Sequence, residues 1–115
     1  MEFKAISKNV RMSAQKMREM VRQIQGLPAL QAQAVLAVVP RKSARFVAKT
    51  LKAAIANAEH LAREKKYKLD TQDLRVREAV AGTAMTYKRV TPKARGSAGP
   101  ILKRNCHIKI ILSDD

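Results

Sequence analysis

Residues Gly82–Arg104 read GTAMTYKRVTPKARGSAGPILKR, a run of small, polar and basic residues with no acidic side chain in it. As a structureless connection it would be too long for a compact domain, where loops beyond about 12–15 residues are uncommon. On its N-terminal side Leu74, Val76 and Val80 stand against Arg75 and Arg77; on its C-terminal side Cys106, Ile108, Ile110 and Leu112 alternate with Asn105, His107, Lys109 and Ile111. Each flank carries the period-two pattern of a half-buried strand. Two such strands around one long insertion predict a hairpin whose legs continue past the body, and legs of about 10 residues at about 3.3 Å each reach ~30 Å. The small residues Gly82, Thr83, Ala84, Thr86, Ala94, Gly96, Ser97, Ala98 and Gly99 leave this arm little to bury against itself, so alone in water it is expected to be mobile. Between Ala79 and Ser113 the charged residues are Lys88, Arg89, Lys93, Arg95, Lys103, Arg104 and Lys109, all cations. Something anionic must hold such an arm.

Upstream, the spacing turns helical. Phe3, Ala5 and Ser7 alternate imperfectly with Lys4, Ile6 and Lys8, which predicts a short strand over Phe3 to Ser7, at a sheet edge. Ser13 is a suitable N-cap, Met17, Met20, Val21 and Ile24 fall on one helical face, and Gly26 suits the left-handed stop, predicting a helix from Ala14 to Gln25. Pro28 opens a second, short helix ended by Pro40, with Leu30, Ala34, Ala37 and Val38 expected on a buried face. From Arg41 about 24 residues run without Gly or Pro, and Ala44, Val47, Ala48, Leu51, Ile55, Ala58 and Ala62 cluster in one arc of a long helix. Beside that arc Arg41, Arg45, Lys49 and Lys52 form a stripe of one sign, with no acidic residue between Glu19 and Glu59 in sequence. One-signed stripes meet something negative more often than they merely face water. The patterns together predict an α+β fold: three helices packed on a small antiparallel sheet, with a long protruding β-hairpin, in one domain spanning 1–115 whose arm covers about 80–105.

The chain has 115 residues, with 24 Lys plus Arg against 9 Asp plus Glu, a formal net charge of +15, and a hydrophobic fraction of 46%. That fraction can build a core, so the charge belongs to a folded body and not to a disordered tail. Its natural counterweight is nucleic acid, an anionic membrane surface being the lesser alternative. Aromatic residues make up 3% of the chain, which argues against a sheet that stacks several bases on aromatic side chains. One cysteine, Cys106, precludes an internal disulfide, and two histidines leave no four-ligand zinc spacing. The longest apolar run, Ala34 to Val39, is far short of the about 20 residues of a membrane span, and the first residues lack a signal-peptide layout. The expectation is a soluble protein of a reducing compartment, with no membrane partner.

Catalytic chemistry finds no support. Glu59 and His60 are adjacent on a helix, so their side chains point about 100° apart and cannot form a dyad. Ser13 reads as a cap, Cys106 as a small core residue on the inward face of its strand, and Gly96-Ser97-Ala98-Gly99 lacks the following Lys and helix of a nucleotide loop. His107 reads as a surface or RNA-facing residue. No cofactor, metal or small-molecule substrate is expected. Asn57, a polar amide between Ala56 and Ala58, has little reason to be a helix former and is expected to make an RNA or capping contact.

Ser13-Ala14-Gln15-Lys16, the block from Ile55 to His60, the block from Lys88 to Gly96, and Ile101-Leu102-Lys103-Arg104 with His107-Ile108 resemble large-subunit ribosomal protein twenty-two over nearly the whole chain. The resemblance implies a structural constituent of a bacterial or organellar large subunit, in the cytoplasmic setting of that particle. Such a protein binds large-subunit ribosomal RNA, supports assembly, sits among neighbouring large-subunit proteins and lines the exit tunnel, where it meets the nascent polypeptide. The residues expected to bind RNA, on these patterns and on the resemblance together, are Lys8, Arg11, Ser13, Gln15, Lys16, Arg41, Arg45, Lys49, Lys52, Asn57, His60, Lys88, Arg89, Lys93, Arg95, Lys103, Arg104 and His107. The implied tunnel-lining tip is Lys88, Arg89, Val90, Thr91, Pro92, Lys93, Ala94 and Arg95. Two departures from the family pattern stand out: Tyr87 where Met is common, and Ser97 with Gly99-Pro100 where residues are more often basic or polar. Pro100 is expected to break pairing locally. A DNA-bending architectural protein with a basic β-arm is the alternative reading.

Overall fold

A computed structural model describes residues 2–66, 68–69, 71–92, 94–96 and 98–114. The elements run β1 (Glu2–Val10), α1 (Ala14–Ile24), α2 (Ala29–Val38), α3 (Lys42–Glu64), β2 (Arg75–Thr83), β3 (Tyr87–Pro92), β4 (Ala98–Lys103) and β5 (Cys106–Ser113). The fold is α+β. β1, β5 and β2 form an antiparallel sheet in that spatial order, and β3 pairs with β4 in a separate two-stranded ribbon.

β5 is the central strand because it is the one strand apolar enough to be covered along its length: Cys106, Ile108, Ile110 and Leu112 are wholly buried, and its other residues are buried or half-buried. β1 is an edge, as expected, but longer than the predicted span, reaching Val10 through a register shift between Ser7 and Val10. Asn9 adopts a positive φ of 57° in that irregularity. β2 also shifts register, between Val76 and Glu78. This bulge corrects the expectation for Val80: after the buried Val76 it turns Ala79 and Ala81 inward and leaves Val80 exposed. Asn105, expected to face outward, is buried just before β5 begins.

The helices cover one face of the sheet. α1 starts at Ser13, whose hydroxyl accepts from the Lys16 amide at 3.5 Å, and it buries Met17, Met20, Val21 and Ile24 against β2. It stops one residue earlier than predicted, with Gln25 as the C-cap and Gly26 at φ 85°. The segment after it runs along the start of β2: the Gly26 amide donates to the Val76 carbonyl, Val76 to Leu27, and Ala29 to Leu74. α3 lies over β1 and β5 and buries Ala44, Val47, Leu51, Ala54, Ile55, Ala58 and Ala62. Two polar contacts tie it to β1. Ser7 Oγ and Thr50 Oγ1 are 2.8 Å apart, and Asn57 Nδ2 donates to the Lys4 carbonyl at 3.2 Å.

α2 packs on α3 with the opposite face from the one expected. Ala29, Ala32 and Leu36 are buried, whereas Ala34 and Ala37 are exposed, as are Leu30 and Val38, the latter by 81%. The helix is apolar all round except for two glutamines, so its periodicity defines no inward face. Its orientation comes from its neighbours.

The arm leaves the body where residues 84–86 and 104–105 drop out of strand geometry, with the Ala84 amide donating to the Asn105 carbonyl at 3.2 Å across the break. β3 and β4 then pair from Tyr87↔Lys103 to Pro92↔Ala98. Pro100 does not interrupt this ribbon, correcting the expectation; it stands opposite Val90 inside β4. Both strands of a ribbon are edges, where a missing N–H is tolerated. A 3₁₀ turn at Ala94–Gly96 follows β3, with Arg95 and Gly96 at positive φ. The arm makes the molecule long: it measures 66 × 27 × 16 Å.

Candidate nucleic-acid interface

The cations gather at the base of the arm. On one side, a cleft of about 360 Å³ is walled by Asn9, Arg11, Tyr87, Arg89, Lys103 and Asn105. β1's irregular end supplies Asn9, the turn after it Arg11, and the first cross-strand pair of the ribbon Tyr87 and Lys103. The His107 ring holds this corner, its Nδ1 accepting from the Asn9 amide at 3.0 Å. In the neutral ring that acceptor role places the proton on Nε2.

On the other side, a cleft of about 300 Å³ lies between the start of α1 and the arm; Ser13, Gln15, Arg18, Thr83, Arg104 and Asn105 are among its lining residues. Arg18 is anchored by its Nε, which donates to the Ala81 carbonyl at 3.0 Å. Asn105, 7% exposed, borders both clefts. The arm base is thus collared by cations on both sides, and among the described residues no acidic side chain lines either cleft.

The structure therefore brings Arg11, Arg89 and Lys103 together, and separately Ser13, Gln15 and Arg104. Asn57 and His60 meet elsewhere, in a cleft with Lys4 and Ile111 where α3 crosses the sheet edge. Asn57 has a structural partner there in the Lys4 carbonyl, and His60 Nε2 lies 3.8 Å from Glu64, an ion pair when the ring is protonated. Arg41 and Arg45 line a groove with Val38, Val39 and Pro40, while Lys49 and Lys52 continue along exposed α3 beyond it. Arg41 is not unpaired: its guanidinium meets Glu19 of α1 at 3.1 Å, a neutralisation across space that sequence distance concealed. Lys8 and Lys16 are exposed at the end of β1 and the first turn of α1.

Along the arm Lys88, Arg89, Val90, Pro92 and Arg95 are exposed, Val90 by 75%. Thr91 pairs with Gly99 and Ala94 opens the turn; Lys93 lies outside the described residues. Sequence reasoning passed over Asn9, Arg18 and Asn105 as site residues, and took Tyr87 only as a departure. Arg18 carried a signal, standing three residues beyond Gln15 on one helical face. Asn105 carried none, because strand alternation put it outside.

Compared with known proteins, residues 5–113 match the family model of ribosomal protein L22p/L17e. The chain belongs to this family. L22p/L17e proteins are structural constituents of the ribosome, not enzymes. Among the relatives, the large ribosomal subunit protein uL22 of Akkermansia muciniphila is 44% identical over 99% of this chain and 97% of its own length. That of Opitutus terrae is 45% identical over 99% and 96%, and that of Finegoldia magna 41% over 99% and 97%. This is full-length similarity, so the body and the arm both fall within the family match.

Proposed function

We propose that the chain is built into the large ribosomal subunit by binding its ribosomal RNA through the cationic collar and the arm. In this reading it supports assembly beside neighbouring large-subunit proteins, and its arm tip, from Lys88 to Arg95, lines the nascent-polypeptide exit tunnel. One observation carries the reading: a ribbon bearing cations and no anions projects from the body with Val90 and Met85 left open to solvent. Such a segment contributes no residue to the hydrophobic core, whereas a wall of phosphates would neutralise it along its length. Contacts to phosphate position the protein without reading sequence, which suits a scaffold. Lysate fractionated on a sucrose gradient tests this. The protein should travel with the large subunit through moderate salt, and a cryo-EM map of that particle should place the tip at the tunnel wall. Recovery with the nucleoid would instead favour the DNA-bending alternative.

A further inference from the structure

The cleft beside Arg11 carries a side chain that phosphate binding does not use. Of the chain's four aromatic residues, Phe3 is buried in the core, Phe46 is packed against it and Tyr67 lies outside the described residues. Tyr87 stands 44% exposed in the cleft wall, opposite Lys103. The Arg89 guanidinium carbon is 5.7 Å from its ring centroid, and Arg89 Nη1 is steadied by the Lys88 carbonyl at 2.9 Å. Asn9 and Asn105 also line the cleft, and a carboxamide carries both donors and an acceptor.

A phosphate gains from Arg11, Arg89 and Lys103 but nothing from a ring face. A water-exposed aromatic ring among cations and amides matches a ligand that is flat, apolar on its faces, hydrogen-bonding at its edge and anionic at one end. We propose that this cleft seats one unpaired nucleotide of the ribosomal RNA, its base stacked on Tyr87, its edge facing the two carboxamides and its phosphate met by Arg11 and Lys103. The proposal rests on the RNA-binding reading and adds a base to it. About 360 Å³ is within the span of small-ligand clefts, roughly 300–1,000 Å³. The scarcity of aromatic residues excludes a platform for several bases; one ring suffices for one base.

Titration of the full-length chain with transcribed large-subunit ribosomal RNA over a series of salt concentrations separates the possibilities. Tyr87→Ala should weaken binding by about tenfold, the scale of one base–aromatic stack, with the slope of log affinity against log salt unchanged. Tyr87→Phe should bind like the wild type. Tyr87→Leu, which keeps an apolar bulk opposite Lys103 without a π face, should lose as much as Tyr87→Ala, so a mere packing role is told apart. Arg11→Gln should instead lower the slope by about one unit. Wild-type affinity within twofold for Tyr87→Ala or Tyr87→Leu overturns the nucleotide site and leaves the RNA-binding reading standing. Failure of the wild type to bind with any salt dependence overturns both.

Discussion

Asn57 illustrates how one amide can serve the fold while lying on the surface. Its Nδ2 donates to the carbonyl of Lys4, pinning the long helix to an edge strand that has a neighbour on one side only. Replacement by Ala would confound two effects, since Ala gains helix propensity as the bond is lost. Asn57→Asp removes that complication: the two residues have similar propensities, but a carboxylate has no donor and faces the carbonyl with like charge. Stability should fall by about 1 kcal/mol, read as a lower urea midpoint at constant m. Cys106 is informative in another way. Burial pushes its thiol pKa up from its ordinary value, because the thiolate would lose its water. The folded state therefore keeps its proton where the unfolded state releases it, so stability is whole below the unfolded thiol's range, near 8.5, and falls as pH rises through and above it. Cys106→Ala should lack that component of the alkaline decline. A thiol reagent should label the native protein only as fast as it unfolds.

The arm is a ribbon without a core, whereas β5 is buried along its length. In the free protein the amides of β3 and β4 should exchange rapidly while those of β5 persist, which amide exchange resolved by residue will report. Arm amides as protected as β5 would mean that the ribbon belongs to the core. Deleting Lys88 to Val90 should leave the thermal transition of the body intact, since none of the buried core residues falls in that span. Most of this architecture was legible beforehand because burial in β5, α1 and α3 follows a single clear period: Cys106 to Leu112 at two, Met17 to Ile24 and Ala44 to Ala62 near 3.6. The failures have physical causes. α2 is apolar on every side, so nothing intrinsic says which of Leu30 and Leu36 turns inward. The bulge after Val76 inserts one unit into a strict alternation, and every later residue of β2 changes face. The collar was legible only in part: Arg11, Lys103 and Arg104 lie near it in any reading, but the pairing of Tyr87 with Lys103 and the approach of Asn9 depend on register.

At the scale of the whole molecule, a net charge of +15 makes the free protein repel itself. Its thermal midpoint should rise on adding sulfate or phosphate, more than on adding chloride at the same ionic strength, because these anions neutralise clustered cations and favour compact states. RNA binding should respond oppositely, weakening steeply with salt. Replacing Arg41, Arg45, Lys49 and Lys52 together by Gln should reduce the salt slope by about two to three units, since a cation contributes about 0.7–0.9 and Arg41 already has Glu19 beside it. An unchanged slope would mark that stripe as a solvated face.

The position of β5 between β1 and β2 bears on how the chain comes to be folded as it is made. β1 is made well before its partner strand, Cys106–Ser113, with Phe3 paired to Leu112. Until β5 emerges, β1 and β2 have no strand to share, and α1 and α3 have no completed sheet to cover. Helices whose hydrogen bonds are local can form early, but the sheet must wait for β5 and then close the loop between Phe3 and Leu112. Until β5 has emerged, a newly made chain thus carries an unpaired edge and a strongly cationic surface, the condition in which association with RNA or a chaperone competes with aggregation.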